Sequence, residues 1–362
     1  MSKILSIGLA TPPFAHDQDQ ILQFMQQIYA NSEMMRRKVK FLYHQSGIKT
    51  RYSVLSDYSR PLNEWKFYPQ GESLEPFPSL EQRMLLYSKF APSLSVDAIR
   101  KCITHRIRPD EITHLITVSC TGLSAPGLDL QLVEWMDLPK NIFRTSINFM
   151  GCYAAIHGLK MAHYICESER KAKVLVVCTE LCTLHFQREA TMDNIASSLL
   201  FGDGSAAVLL VADDDPDQGV YLSDFYAEVL PRGKKDMAWE LSSSGFLMTL
   251  SNYIPDLIEE NFQELVSRVL TKNRLCMSDI QYWCIHPGGK KILEVIQKSL
   301  NLTEDSLCNS FSILEQYGNM SSPTILFVLE KIMKTLSYRK KNRIFGAAFG
   351  PGLTMETFLA ST

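Results

Sequence analysis

Three polar residues stand where this chain could expose reactive groups: Cys152 after Gly151, His286 in IHPGG, and Asn319 in YGNMSSPT. Cys152 falls at the start of an expected helix whose next residues, Ala154, Ala155, Gly158 and Ala162, are small. Helix N-termini carry partial positive charge and free N–H groups, so this position predicts a thiol of lowered pKa and nucleophilic character. The plainer reading is a small core residue, and Cys166, Cys178, Cys276 and Cys284 are placed in that class. His286 ends an apolar run (YWCI) and leads into Pro287, Gly288 and Gly289, where a bare backbone lets a ligand come close. Its alternative is a loop histidine without a role. Asn319 reads either as an N-cap, a choice that Ser321 and Ser322 reinforce, or as an amide donor to a developing enolate or oxyanion.

These residues need elements to hold them. Short β-branched runs alternate with segments of 3.6-residue period, the pattern of an α/β fold. Strands are expected at Lys3–Gly8, His114–Ser119, Val174–Cys178, Ala206–Ala212, Gln281–Ile285 and Arg343–Ala348. Helices are expected at Gln18–Phe41, Leu80–Cys102, Leu128–Met136, Tyr153–Glu167, Leu257–Leu270, Lys290–Leu300 and Pro323–Leu336. The acidic turn-rich Asp213–Asp217 is the most linker-like stretch, which divides the chain into 1–213 and 214–362. The two parts echo each other. DEITHLITVSCTG, Gly151-Cys152 and FGDGSAAVLLVA come in the same order as SDIQYWCIHPGG, Gly318-Asn319 and AFGPGLTMETFLA. That order predicts a duplicated α/β unit whose two helix starts meet near a pseudo-two-fold axis.

The composition bounds the function. A chain of 362 residues exceeds what one core usually serves. Lys plus Arg is 37 against 39 for Asp plus Glu, a formal net charge of -2, so no bulk attraction to nucleic acid or to an anionic membrane is expected. Nine cysteines, with no CxxC pair and no Cys/His cluster of zinc spacing, point to a reducing compartment and to no structural metal. MSKILSIGLATPPF, stopped by Pro12 and Pro13, is too short to span a bilayer and reads as a first strand. A cytoplasmic protein is expected. No GxxxxGK[ST] loop is present.

GCYAAIHG, FGDGSAA, IHPGG, YGNMSSPT and AFGPGLTMET together closely resemble the chalcone and stilbene synthases and their bacterial relatives, the type III polyketide synthases. The resemblance runs from about the first strand to the C-terminus. It implies a thiolase-like fold, internally duplicated in α/β/α/β/α layers, and an acyltransferase that condenses malonyl-CoA onto an acyl-CoA starter. Cys152 then matches the acyl-accepting nucleophile, His286 its partner, and Asn319 the residue that works with His286 on the enolate left by decarboxylation. Phe201 matches a phenylalanine at the mouth of the cavity; its other reading is a strand-end core residue. Cys182, His185, Met248 and Ser321 match cavity positions, Met248 replacing a second family phenylalanine. Trp239 is expected to narrow one side. Gly288 and Gly289 match backbone facing the pantetheine arm, and Gly350-Pro351-Gly352 a loop bordering the cavity.

For CoA phosphates the resemblance keeps Lys38 within the basic run Arg36–Lys40 but places Phe41 and Gln45 where the family has basic residues. Read alone, that run is a solvated face. The resemblance also implies a homodimer, with Thr121–Leu128 near its interface, and no cofactor beyond CoA thioesters as substrates. Two other readings stay open. A ketoacyl-ACP synthase III-like initiating enzyme would share the Cys–His–Asn set but typically follows its histidine with Gln-Ala-Asn and lacks FGPGLT. A catalytically silent thiolase-fold binding protein would need a blocked tunnel. Starter, number of extensions and cyclisation mode are not written in the sequence.

Overall fold

A computed structural model describes residues 1–30, 32–71, 74–251 and 253–362. One nine-stranded sheet runs through the molecule in the order Tyr282–Ile285, Arg343–Gly350, Thr354–Ser361, Val220–Val229, Ser2–Ala10, Asp203–Ala212, Lys173–Leu181, His114–Ser119, Phe143–Asn148. Its centre is a short antiparallel join in which Ser2, Lys3 and Ile4 face Leu222, Tyr221 and Val220. Outward from that join both sides repeat one scheme: an antiparallel pair, a second antiparallel pair, then a parallel pair. The duplication legible in the motifs is therefore a duplication of strand connectivity. The first side alone adds an outer strand, Phe143–Asn148, parallel to His114–Ser119.

Three apolar clusters separate the layers. The central one joins helices Ala154–Ser168 and Thr324–Met333 to strands from both sides of the sheet. Outer clusters form under helices Gln18–Tyr29 and Leu80–Ile103 on one side and under Ile254–Lys272 and Lys290–Ser299 on the other. This gives the five-layer α/β/α/β/α arrangement of a thiolase-like fold. The central helices suit their place. Ala154, Ala155, Gly158 and Ala162 let one of them lie close to the sheet, and a Cβ on Gly158 would come within 2.8 Å of a Val176 methyl. The other, TILFVLEKIM, is buried nearly all round, as a helix covered on every side must be.

Several expectations are corrected. The single helix expected over Gln18–Phe41 is two, Gln18–Tyr29 and Glu33–Gln45; Ser32 caps the second by accepting from Met35 N, and Asn31 lies outside the described residues. The helix expected to open at Gly318-Asn319 starts only at Thr324, because Asn319 is held in a β-bridge to Phe201. Cys276 is exposed and not in a core. A separate hairpin, Met237–Ser242 with Gly245–Leu250, and helices Met192–Leu200 and Cys308–Tyr317 add elements that the periodicity did not bring out.

Candidate active site

Cys152 sits two residues ahead of the first residue of helix Ala154–Ser168, so the helix N-terminus faces it. The turn that places it depends on Gly151, whose φ is +81° and whose missing Cβ leaves room for Pro351; a Cβ there would lie 2.1 Å from Pro351 Cδ. Gly151 N–H donates to Cys120 Sγ at 3.0 Å, which pins the turn from below. His286 continues strand Tyr282–Ile285, its N–H donating to Ala347 O at 2.8 Å across the parallel ladder. Asn319 follows Gly318 (φ +67°). Its N–H donates to Leu200 O and its carbonyl accepts from Gly202 N, both at 2.9 Å, and its Oδ1 accepts from Ser321 N at 2.8 Å. The side chain is thus oriented by its own turn and does not cap a helix.

Cys152, His286 and Asn319 line one cavity, together with Phe201, Trp239, Met248 and Pro351 among others. A neighbouring cavity shares Cys182, Phe201, Trp239 and Met248 with it, so these four side chains form the wall between the two. Trp239 and Met248 are direct cross-strand partners in the hairpin, and Trp239 Nε1 donates to Cys120 O at 2.8 Å. Ser321 lies in the first cavity and His185 in the second. His185 is fully engaged: Nε2 donates to Thr121 O at 2.8 Å, Nδ1 accepts from Phe246 N at 3.2 Å, and the ring stacks on Phe246. It offers the cavity a ring and no free polar atom. Gly288 lines the reaction cavity, Gly289 caps the next helix, and Lys38 stands exposed on helix Glu33–Gln45, in neither cavity.

Electrostatics at the site differ from the expectation for a helix-start thiol. Burial pushes the Cys152 thiol up, to about 11, with hydrogen bonds from Ser321 and Asn319 opposing and the Glu180 carboxyl adding to the rise. Burial likewise holds His286 down, at about 3. The helix dipole falls off within a turn, and dehydration of the part-buried sulfur opposes it. Burial therefore disfavours an isolated thiolate at Cys152 and an isolated imidazolium at His286. Both ring nitrogens of His286 are buried and have no hydrogen-bond partner among the described residues. Such orphaned atoms are rare in folded proteins. Proton transfer from Cys152 to His286 would create two opposite charges together, without changing the net charge of the pocket.

The sequence reading passed over Glu180. Fully buried, its carboxylate accepts from Cys120 N (2.9 Å), Thr121 Oγ1 (2.7 Å), Ser119 Oγ (3.4 Å) and Ser322 Oγ (2.7 Å). Burial raises it to about 7 against the pull of those donors. A lone acid inside the apolar run VLVVCTELC was the available signal, since such a residue must find partners. Among the described residues no cluster of His, Cys, Asp and Glu is placed to hold a metal ion, and no helix is long and apolar enough to cross a membrane.

Residues 1–214 match the family described as chalcone and stilbene synthases, N-terminal domain, and residues 222–362 its C-terminal domain. "Type III polyketide synthase C" of Arabidopsis thaliana is 30% identical over 98% of this chain and 94% of its own length. "Alpha-pyrone synthesis polyketide synthase-like Pks18" of Mycobacterium tuberculosis is 30% identical over 90% of this chain and 82% of its own. The crystal structure of PKS-I from the brown alga Ectocarpus siliculosus superposes with a TM-score of 0.92 at 27% identity, covering 99% of this chain and 97% of that one. The chain belongs to the chalcone and stilbene synthase family, the type III polyketide synthases. It is an acyltransferase of that class.

Because burial disfavours a lone thiolate at Cys152, alkylation of Cys152 should depend on His286 as the base. Wild-type enzyme should react with iodoacetamide at pH 7 about 10²-fold faster than His286→Ala. In the variant the rate should climb with pH toward the raised thiol value of about 11 and close the gap. Peptide mass mapping across a pH series measures this, and superimposable profiles would show that Cys152 ionises without His286.

Proposed function

We propose that Cys152 carries the growing acyl chain while His286 and Asn319 manage charge on the malonyl unit. The observation that supports this most is the convergence of a part-buried thiol, an imidazole with two free nitrogens and an amide on one apolar cavity. Cys152 Sγ attacks the carbonyl of an acyl-CoA starter as His286 takes its proton, and the CoA thiolate leaves with that proton. Malonyl-CoA then loses CO₂, and the electron pair of the broken C–C bond becomes an enolate whose oxygen faces His286 and Asn319. Its carbon attacks the Cys152 thioester, the new C–C bond forms, and the Cys152 thiolate is released for the next round. Phe201 closes the cavity beside Asn319 and keeps water out. Gly288 borders the pantetheine arm. Lys38, with Arg36 and Arg37 on the same helix, meets the CoA phosphates at the surface.

The starter is proposed to be aliphatic or otherwise different from coumaroyl, with few extensions and a pyrone or resorcinol-type product. Trp239 and Met248 support this reading. An indole and a pliable thioether stand at the wall between the two cavities, so reaction space is limited while an apolar chain still finds a yielding partner. The pyrone synthesis named for the mycobacterial relative is in keeping with it. A homodimer is proposed as well. Strand Phe143–Asn148 is an outer edge of the sheet, and Phe143, Trp135 and Leu123 are exposed beside it. Thr121–Leu128 leads from the cavity wall to that edge, so a second copy seated there would come within a few residues of the site. Nine free cysteines fit a reducing compartment such as the cytoplasm.

Asn319→Ala tests the division of roles. It should still load an acyl group on Cys152 but decarboxylate malonyl-CoA about 10²–10³-fold more slowly, as expected for loss of one oxyanion donor; equal losses in both half-reactions would refute the assignment. Trp239→Gly should lengthen the products by at least one malonyl unit on mass analysis, whereas an unchanged product series would mean that the indole does not set chain length. Sedimentation at micromolar concentration should give a species of twice 41.1 kDa, and a persistent monomer would remove the dimer.

A further inference from the structure

We infer that Arg51, held by Gln18, is a positioning residue for the decarboxylation half of the reaction. Helix Met192–Leu200 runs into Phe201 with its last carbonyls turned inward, and each finds a donor on another element. Arg51 Nη1 donates to Ser198 O at 2.6 Å and to Phe201 O at 2.7 Å. Gln18 Nε2 donates to Leu199 O at 2.9 Å, and Asn319 N to Leu200 O at 2.9 Å. Arg51 Nε in turn donates to Gln18 Oε1 at 2.9 Å. The guanidinium therefore grips the backbone of Phe201 directly. Its stem supports Asn319 from beneath: a Cβ on Gly318 would come within 2.9 Å of Arg51 Cγ and Cδ.

The bland alternative is a helix cap that happens to be charged. Two features argue for more. Arg51 is 3% exposed, and Asp203, its acidic neighbour, has its oxygens engaged by Val54 and Thr183. Burying a guanidinium without a contacting carboxylate is costly, and neutral donors cap helices at less expense. Its reach is also selective. Phe201 and Asn319 come from opposite sides of the sheet join and are tied to each other by Gly202 N–H to Asn319 O at 2.9 Å. Arg51 touches the main chain of one and underlies the turn of the other, so it fixes the aromatic wall and the amide as one unit. The turns of Cys152 and His286 are held elsewhere, by Cys120 and Ala347.

This inference rests on the reading of Asn319 as the group that holds the enolate oxygen. The experiment measures, for wild type, Arg51→Met, Arg51→Lys, Asn319→Ala and Arg51→Met/Asn319→Ala, stoichiometric acyl loading of Cys152 by intact mass and release of acetyl-CoA from malonyl-CoA. Arg51→Met should load within about twofold of wild type yet show kcat for decarboxylation about 10²-fold lower, the scale of a misplacement near 1 Å. Arg51→Lys should recover about tenfold of that loss, since one donor returns. The double variant should be no more than about twofold slower than Asn319→Ala, because the two losses act on the same group. If Arg51→Met does not fold, Gln18→Met, which keeps the cation but removes its support, should show the same loss in smaller degree. Normal decarboxylation by Asn319→Ala would sink the site reading and this inference together. Impaired Asn319→Ala with unimpaired Arg51→Met, equal loss of loading and decarboxylation in Arg51→Met, or multiplying losses in the double variant would sink this inference alone.

Discussion

The active site depends on a polar seam between the two sides of the sheet that must be satisfied without bulk water. The apolar central layer supplies adhesion, but burial is non-directional and would tolerate sliding. Register comes from hydrogen bonds. Glu180 accepts from Cys120 and Thr121 on one side of the seam and from Ser322 on the other. A little further along, Phe201 and Asn319 form a bridge of strand-like geometry. A buried carboxylate is tolerable only with such a complete set of donors, and moving either side by a fraction of a bond length would strip it of them. The reacting groups, which come from separate parts of the chain, inherit their relative placement from that seam.

The same constraint explains the dry character of the cavity. Polar atoms around it are occupied by one another: His185 by Thr121 and Phe246, Trp239 by Cys120, Asn319 Oδ1 by Ser321. Among the described residues the ring nitrogens of His286 keep no partner, and the ring lines the same cavity as Cys152 and Asn319 in a setting that suppresses isolated charge. Such a site favours chemistry in which charges appear in pairs or are delocalised into an enolate.

Much of this was legible in the sequence where glycine flanks a functional residue. Gly151-Cys152, His286-Pro287-Gly288 and Gly318-Asn319 stand out because the backbone there must turn tightly or admit another group, and each residue does reach the cavity. Less could be read where long-range contacts decide. SSPT after Asn319 looks like a capping sequence, yet the chain uses Pro323 as the cap position and keeps Asn319 in the bridge. The thiol's position suggested easy ionisation, but burial pushes it the other way. The hairpin Met237–Leu250 carries an alternating pattern around Ser243 and Ser244 that is too short to stand out, and Arg51 shows no local sign of what it holds.

That hairpin has an evolutionary consequence. Among the described residues its two strands pair with each other alone and form a sheet apart from the main one. It nevertheless presents Met237, Trp239, Met248 and Leu250 to the reaction cavity. Substitutions along it alter the volume and shape offered to a substrate while leaving the register of the catalytic strands alone. Selectivity and chemistry are therefore separable properties of this molecule, and descendants could drift in what they make without first having to relearn how to make it.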